Sequence, residues 1–433
     1  MATAETAERS RTLLDAIRDN PDWRRLYFAR TISLVGNWLN TLAIVHLLGS
    51  GEHGTALSLA LVFVLKQMPV TLFGPAAGVV ADRYERRRIM VTADILSATL
   101  VLLFLLAEPG GSHVYIYVLT LLQIGVVTFF DPAYRASVPD LVREDDLISA
   151  NALSAVTWSA TFALGTALGG IVLYLFGWRV AFALDALTYI VSALLIRGLE
   201  APRPSAPKTP RRHGLAAALG YDELIAGVRY VLGTGAVRNV IVVKAIWGTM
   251  GAFTLFLTLL GAQPGYRILG SGDMGISFLW FCRAIGTGVG PPIARAFARG
   301  DERRLRLSIA LGFVIAVSFY AAIPLMPTFY LAGLSVAIAH VGGSMVWVMS
   351  TVLLQQRVPT EFRGRTFAAE LGLVMLASST SHLIYASLLD RTSLDLTGAI
   401  PLAAGFCALL ATVWIVRVAL PKTPPVARAG LHR

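Results

Sequence analysis

The chain has 433 residues, 55% of them hydrophobic and only 15% charged, against about 25% charged in a typical soluble domain. So few charges cannot coat the two or three soluble domains that this length would otherwise form, which argues against disorder and against an ordinary cytosolic enzyme. The net charge of +11 is dispersed over many short segments instead of one patch, so no nucleic-acid partner is expected.

A membrane helix needs about 20 consecutive, mostly apolar residues. In chain order such blocks lie at 27–49, 56–80, 88–107, 114–137, 150–176 and 179–198, and again at 236–262, 272–298, 306–325, 328–356, 365–389 and 398–419. The runs are continuous, not alternating, so helices and not a barrel are predicted. The expected fold class is an all-α integral membrane protein with twelve transmembrane helices in two six-helix bundles.

The polar segments between the blocks carry the basic residues. Arg9, Arg11, Arg18, Arg24 and Arg25 precede the first span, and residues 1–25 contain no apolar core of a signal peptide. Arg83, Arg86, Arg87 and Arg88 follow span two, Arg143 follows span four, and Arg299, Arg303 and Arg304 follow span eight. The opposite loops hold little more than His53, His113, Arg179, Arg267 and Arg391. By the positive-inside rule both termini and every even-numbered loop are expected in the cytoplasm, in a multi-pass protein of the bacterial plasma (inner) membrane. A short surface helix is expected over 11–20.

Residues 201–213, APRPSAPKTPRRH, read as an extended linker. Leu224, Ile225, Val228, Val231 and Leu232 then form one face of an amphipathic helix over 219–234. The expected organisation is a bundle over 1–200, a cytoplasmic linker with that helix over 201–234, and a second bundle over 235–433. Two parallel halves with a site between them are a known transporter plan.

After span two the chain reads Gly74-Pro-Ala-Ala-Gly78-Val-Val-Ala-Asp82-Arg83-Tyr-Glu85-Arg86-Arg87-Arg88. This resembles the major facilitator superfamily signature G-x-x-x-D-R-x-x-R-R. The segments FFDPAYRASVPDLVREDDLISANAL (129–153), LQQRVPTEFRGRTFA (354–368), ELIAGVRYVL and FALDALTYIVSALL are similar to one branch of it, the drug, macrolide and siderophore (enterobactin-type) exporters. The resemblance implies a secondary active exporter of an amphiphilic small molecule, working by alternating access. It also implies a latch for the outward-facing state. Gly78 would let spans two and eleven approach, Asp82 would cap span eleven near Thr366, and Arg83 or Arg86, flanked by Arg87, would pair with Asp131. Arg135, Asp140, Glu361, Arg363 and Arg365 would complete the gating contacts between the halves. In span five, Gly165-Thr166-Ala167-Leu168-Gly169-Gly170 is similar to the end of the antiporter motif G-P-x-x-G-G, with Thr166 where that motif has proline. Gly165, Gly169 and Gly170 read equally well as small-residue packing. Related exporters carry an acid after Leu-x-Gly in span one; here Leu34-Val-Gly36 is followed by Asn37.

Charges inside spans point to function, because an unpaired one is costly in lipid. Lys66 and Arg283 fall near mid-span, and Lys244 and Arg30 closer to the cytoplasmic ends. These cations either line a central cavity for an anionic or catechol-like substrate, or pair with the buried acids Asp94, Asp131, Asp185 and Glu370. Asn37, Asn40, Lys66, Trp247 and Arg283 are the substrate-cavity candidates. Asp185, expected nearer the outer side, and Glu370 are the proton-coupling candidates.

No cofactor is expected beyond a proton motive force, and no metal site is expected, since Cys282 and Cys407 both fall within spans and the seven histidines are scattered. No nucleotide loop or catalytic triad is visible, so the chain is not expected to be an enzyme. The expected partners are a small-molecule substrate and the lipid bilayer, with the chain a monomer. An uptake transporter of an organic anion, and a non-transporting receptor or lipid handler on the same fold, are the alternatives.

Overall fold

The computed structural model describes residues 17–49, 54–199, 221–298 and 301–420. The linker 201–213 and most of the surface helix expected over 11–20 lie outside these residues. Thirteen α-helices occur among them: α1 Pro21–Gly49, α2 Ala56–Arg83, α3 Arg86–Leu103, α4 His113–Leu141, α5 Leu147–Arg197, α6 Tyr221–Gly233, α7 Gly235–Gly248, α8 Phe253–Ala262, α9 Gly272–Ala298, α10 Glu302–Ala322, α11 Phe329–Arg357, α12 Thr360–Arg391 and α13 Leu396–Trp414. A single bridge between Ile268 and Ser271 is the extent of extended pairing among the described residues.

Local signals explain the helix starts. Pro21 opens α1, where its missing N–H is not needed. Thr55 and Ser58 form a reciprocal capping box on α2. Asp301, Thr328 and Asp395 accept from the first-turn N–H groups of α10, α11 and α13.

Ten helical segments among the described residues are long and apolar enough to cross a membrane, fewer than the twelve blocks of the sequence. The difference has two causes. Spans five and six run together as α5, whose 51 residues would extend about 77 Å, far more than a bilayer of about 30 Å. The segment turns at Gly177, with φ 77° and ψ 173°, a conformation open to glycine alone. Helix α9 is long enough to cross, but Asp273, Arg283 and Arg295 dilute its apolar character.

Span seven is not one helix. It breaks over 249–252 into α7 and α8. On α12, Ser381 Oγ donates to the Thr249 carbonyl (2.7 Å) and accepts from the Ala252 N–H (3.2 Å), so the freed backbone groups are satisfied from outside.

Helix packing relies on small residues. Helix α1 lies along α5, with Gly165 and Gly169 directly beneath Trp38 and Leu42. Helix α11 is sandwiched between α9 and α10, and a Cβ on Gly342 would stand 2.4 Å from the Gly312 carbonyl oxygen. The two halves of the chain meet along two seams, α5 with α9 and α2 with α12.

Polar contacts across these seams gather at the end away from the arginine-rich loops. His46 Nδ1 on α1 lies 2.8 Å from Asp273 Oδ2 on α9. Asp390 at the end of α12 accepts from the N–H groups of Ala56 (2.9 Å) and Leu57 (2.8 Å) at the start of α2. Near the basic end the linker helix α6 takes part. Its Gly227 rests on the Arg365 backbone, Tyr230 stacks on Phe362 at 4.5 Å, and the Tyr221 hydroxyl donates to the Leu72 carbonyl of α2.

Candidate functional site

The arginine-rich signature is not engaged across the halves. Asp82 and Arg83 are exposed, and Gly78 has no neighbour within 4 Å of where a Cβ would stand. The close approach of spans two and eleven at Gly78 is therefore absent, as is the Asp82 cap on Thr366, which is fully buried without a hydroxyl partner. Arg86 does not reach Asp131. It donates to Asp140 Oδ2 (2.5 Å) and to the Ala136 carbonyl (2.7 Å), clamping α3 to α4. Arg87 bonds Glu85 and the Leu199 carbonyl. Asp131 instead takes Arg30 of α1 at 2.5 Å, with Arg135 at 3.9 Å. The sequence contained both arginines, but nothing in the spacing ranked Arg30, 101 residues away, above the loop.

Other gating candidates also bind within their own half. Asp140 serves Arg86, and Arg363 donates to the Val358 and Gln355 carbonyls. Arg365 lies over the Phe362 ring and beneath α6. The side chain of Glu361 lies outside the described residues. Of the glycines, Gly165 and Gly169 face α1, while Gly170 meets Ser277 of α9 across the seam.

The mid-span charges divide into two classes. Lys244 donates to Glu370 Oε2 at 2.7 Å, with the two side chains 5% and 3% exposed, and also sits over the Trp347 ring. This is a closed, internally neutral pair. Lys66 and Arg283 differ. Among the described residues neither has a carboxylate within ion-pair distance. Lys66 Nζ donates to Thr41 Oγ1 (2.5 Å), whose own proton goes to the Asn37 carbonyl. Arg283 Nη1 donates to Thr254 Oγ1 (2.5 Å) and its Nε to His340 Nε2 (2.9 Å). With Nε2 accepting, the His340 proton belongs on Nδ1, where it faces the Tyr320 hydroxyl. His340, Tyr320 and Thr254 thus orient the guanidinium without neutralising it, and the sequence singled out none of them.

Aromatic rings from both halves form a layer that Arg283 joins. Trp38 stacks on Phe162 at 4.1 Å and meets Trp280 edge-on at 6.2 Å. Phe63 lies 6.0 Å from Trp280 and 5.3 Å from His382. Arg283 sits 5.6 Å from the Phe162 ring centre, across the α5–α9 seam. Trp247 lies above Gly343 and edge-on to His340 at 5.9 Å, so it supports the Arg283 set from behind. Such a layer suits a flat apolar or aromatic ligand carrying negative charge.

Three candidates sit elsewhere than expected. Asn40 is fully buried, and its amide lies against Asp185 without a well-formed hydrogen bond. Asn37 lines a small cavity inside the N-terminal half with Asp94 and Tyr189. Asp185 lies at mid-depth: its Oδ1 would be 2.5 Å from a Cβ on Gly36, halfway along α1. Small size at Gly36 is what admits this carboxylate. Among the described residues no three His, Cys, Asp or Glu side chains converge as metal ligands would.

A family profile for the Major Facilitator Superfamily matches residues 26–381. The chain belongs to the major facilitator superfamily. It is a multi-pass membrane transporter. The enterobactin exporter EntS of Shigella boydii serotype 4 (strain Sb227) is 26% identical over 435 residues, covering 96% of this chain and 97% of that protein. BacE of Bacillus subtilis (strain 168), named as a proposed bacilysin exporter, is 25% identical over 364 residues, covering 83% and 87%. These relatives support an export role. Among solved structures, the POT family transporter PepTSo superposes with a TM-score of 0.72 at 12% identity over 92% of this chain and 97% of that one. A bacterial homologue of the lysosomal transporter Spinster, in an inward-facing and unoccupied conformation, gives 0.67 at 14% identity, over 92% and 97%. Both likenesses concern the fold alone.

Proposed function

We propose that the chain is a proton-coupled exporter of an amphiphilic, anionic small molecule of drug, macrolide or siderophore type. The observation that carries this reading is the pair Lys66 and Arg283, one from each half. Both are cationic and both are fixed by neutral donors and acceptors, and Arg283 sits in an aromatic layer at the seam. Arg283 has no carboxylate beside it and Lys66 only the buried Asp185, and a cation so placed is retained where a ligand supplies negative charge. The export relatives EntS and BacE favour outward transport, and a catecholate matches both the charge and the rings.

In this reading residues 1–200 and 235–433 form two six-span bundles, the arginine-rich end faces the cytoplasm, and the protein works as a monomer. The polar contacts at His46–Asp273 and at Asp390, with Asp82 disengaged, fit an inward-open state on this orientation. Alternation would exchange those contacts for the Asp82 latch. Asp185 is the stronger proton carrier of the two acids, because Glu370 is held by Lys244.

The test is efflux of enterobactin, and separately of bacilysin, from proteoliposomes under a proton gradient. Lys66→Ala and Arg283→Ala should each reduce efflux of the accepted compound by about tenfold or more, since a charge-assisted contact contributes roughly 1.5–3 kcal/mol. Undiminished efflux by both variants, at equal amounts of inserted protein, would overturn the proposal.

A further inference from the structure

A second polar cluster lies inside the N-terminal half, away from the seams. Asp94 of α3 and Asp185 of α5 are 2% and 0% exposed, and the Oδ2 atom of each meets no donor from the protein. The Ser97 hydroxyl is likewise buried without a protein partner, while Ser192 lies against Asp94, Asn40 against Asp185 and Gln123 against Tyr189 without well-formed hydrogen bonds. Tyr189 lines one cavity with Asp94 and stands one helical turn beyond Asp185 on α5. A cavity of about 10 Å³ is lined by Asp94, Ser97, Tyr189, Asn37, Ser33 and Arg30, close to the room one water needs.

Buried polar groups in native proteins find partners, protein or water. Four helices contribute here, so packing of a single pair does not account for the cluster. The charged and titratable groups around it are few. Arg30 of α1 faces Asp94, beside Ser192 of α5. Lys66 of α2 faces Asp185, beside Asn40 of α1 and Thr188 of α5. Arg30 is bound to Asp131, whose side chain is 40% exposed. The cluster therefore runs from a solvent-touching carboxylate near the basic end to Lys66 of α2.

We propose that Asp94, Tyr189 and Asp185 form a proton path through the interior of the N-terminal half, separate from the substrate route between the halves. The ligand of this site is one exchangeable proton with its bridging water. A proton leaves Asp94 Oδ2 for the water, and the water passes one of its own to the Tyr189 oxygen. Tyr189 releases its original proton to Asp185 Oδ2. Every oxygen that gains a proton gives one up, so the phenol and the water end neutral. No redox partner is involved. The path rests on the proton-coupled reading above and specifies its entrance, while Arg30 acts as a positioning residue that holds Asp94 toward the cavity.

The test needs no substrate. The full chain in proteoliposomes is followed by time-resolved infrared spectroscopy of the protonated-carboxyl band after a pH jump on the cytoplasmic side. Asp185→Asn should remove the main band. Asp94→Asn and Tyr189→Phe should keep the Asp185 band but delay it about tenfold or more, as loss of a positioned proton-transfer group does. Their thermal midpoints show whether the fold is intact. An unchanged spectrum in Asp185→Asn, or wild-type rates in both folded Asp94→Asn and Tyr189→Phe, would overturn the path. Efflux of enterobactin and bacilysin is scored separately. A titrating band without efflux of either compound sinks the exporter reading and leaves the path standing, and proton-driven efflux without a titrating band does the reverse.

Discussion

Lys244 and Glu370 form an ion pair at 2.7 Å between α7 and α12, sealed from solvent on both sides. Such a pair contributes little net stability as a pair, yet removing one member strands the other charge.

Lys244→Met or Glu370→Gln alone should therefore destabilise the protein by about 3–5 kcal/mol, and the double variant Lys244→Met with Glu370→Met should recover most of that. Thermal midpoints in one detergent check this. Full proton-driven efflux by the double variant would further show that Glu370 carries no coupling proton.

The contacts that close the far end should set the balance between states. Asp390 caps the start of α2 from the other half, and losing such a cap costs about 0.5–2 kcal/mol. Asp390→Ala should shift the equilibrium toward opening at that end by about 2- to 30-fold. Asp273→Ala, which frees His46, should act in the same direction. Distances between paired spin labels at the outer ends of α2 and α12 report the shift; an unmoved distribution in both would remove these contacts from the gate.

Gly177 has open space around it but φ of 77°. A methyl group fits there, whereas the backbone angle does not suit it. Gly177→Ala should cost of order 1–3 kcal/mol and lower the amount of inserted protein. Gly165→Ala fails for the opposite reason, since its Cβ would stand 2.7 Å from Trp38. Membrane yield and thermal midpoint measure both.

Arg283→Lys tests geometry against charge. Lysine keeps the cation but not the planar fork that holds His340 and Thr254 together. The half-saturating concentration of an exported anion should rise about tenfold in this variant, with maximal flux changed far less. His340→Ala should give a smaller rise in the same quantity.

Much of the frame was legible from the residues alone. Apolar runs give the spans, Gly177 and the prolines mark the turns, and the loop after span two carries a family signature. The pairings were not legible, because lipid-embedded helices choose neighbours by packing and not by proximity in sequence. Lys244 and Glu370 are 126 residues apart. Likewise Lys66 and Lys244 look alike as sequence, each a lone cation in an apolar run, and only the fold gives one a carboxylate and the other a hydroxyl. The signature residues after span two stand in the loop, but none of the contacts expected of them across the halves is made, and spacing alone does not reveal which partners a loop engages. Asp94 was visible as a buried acid. What it shares with Asp185 emerged only when Tyr189 stood between them.

The break in span seven joins two mechanical parts. Ser381 grips both lips of the interruption, so α7 and α8 cannot change their mutual angle without carrying α12 along. Thr254, which holds Arg283, stands one residue into α8. A tilt of α12 is thereby geared to the guanidinium at the seam, and neutralising that guanidinium can push back along the same gearing.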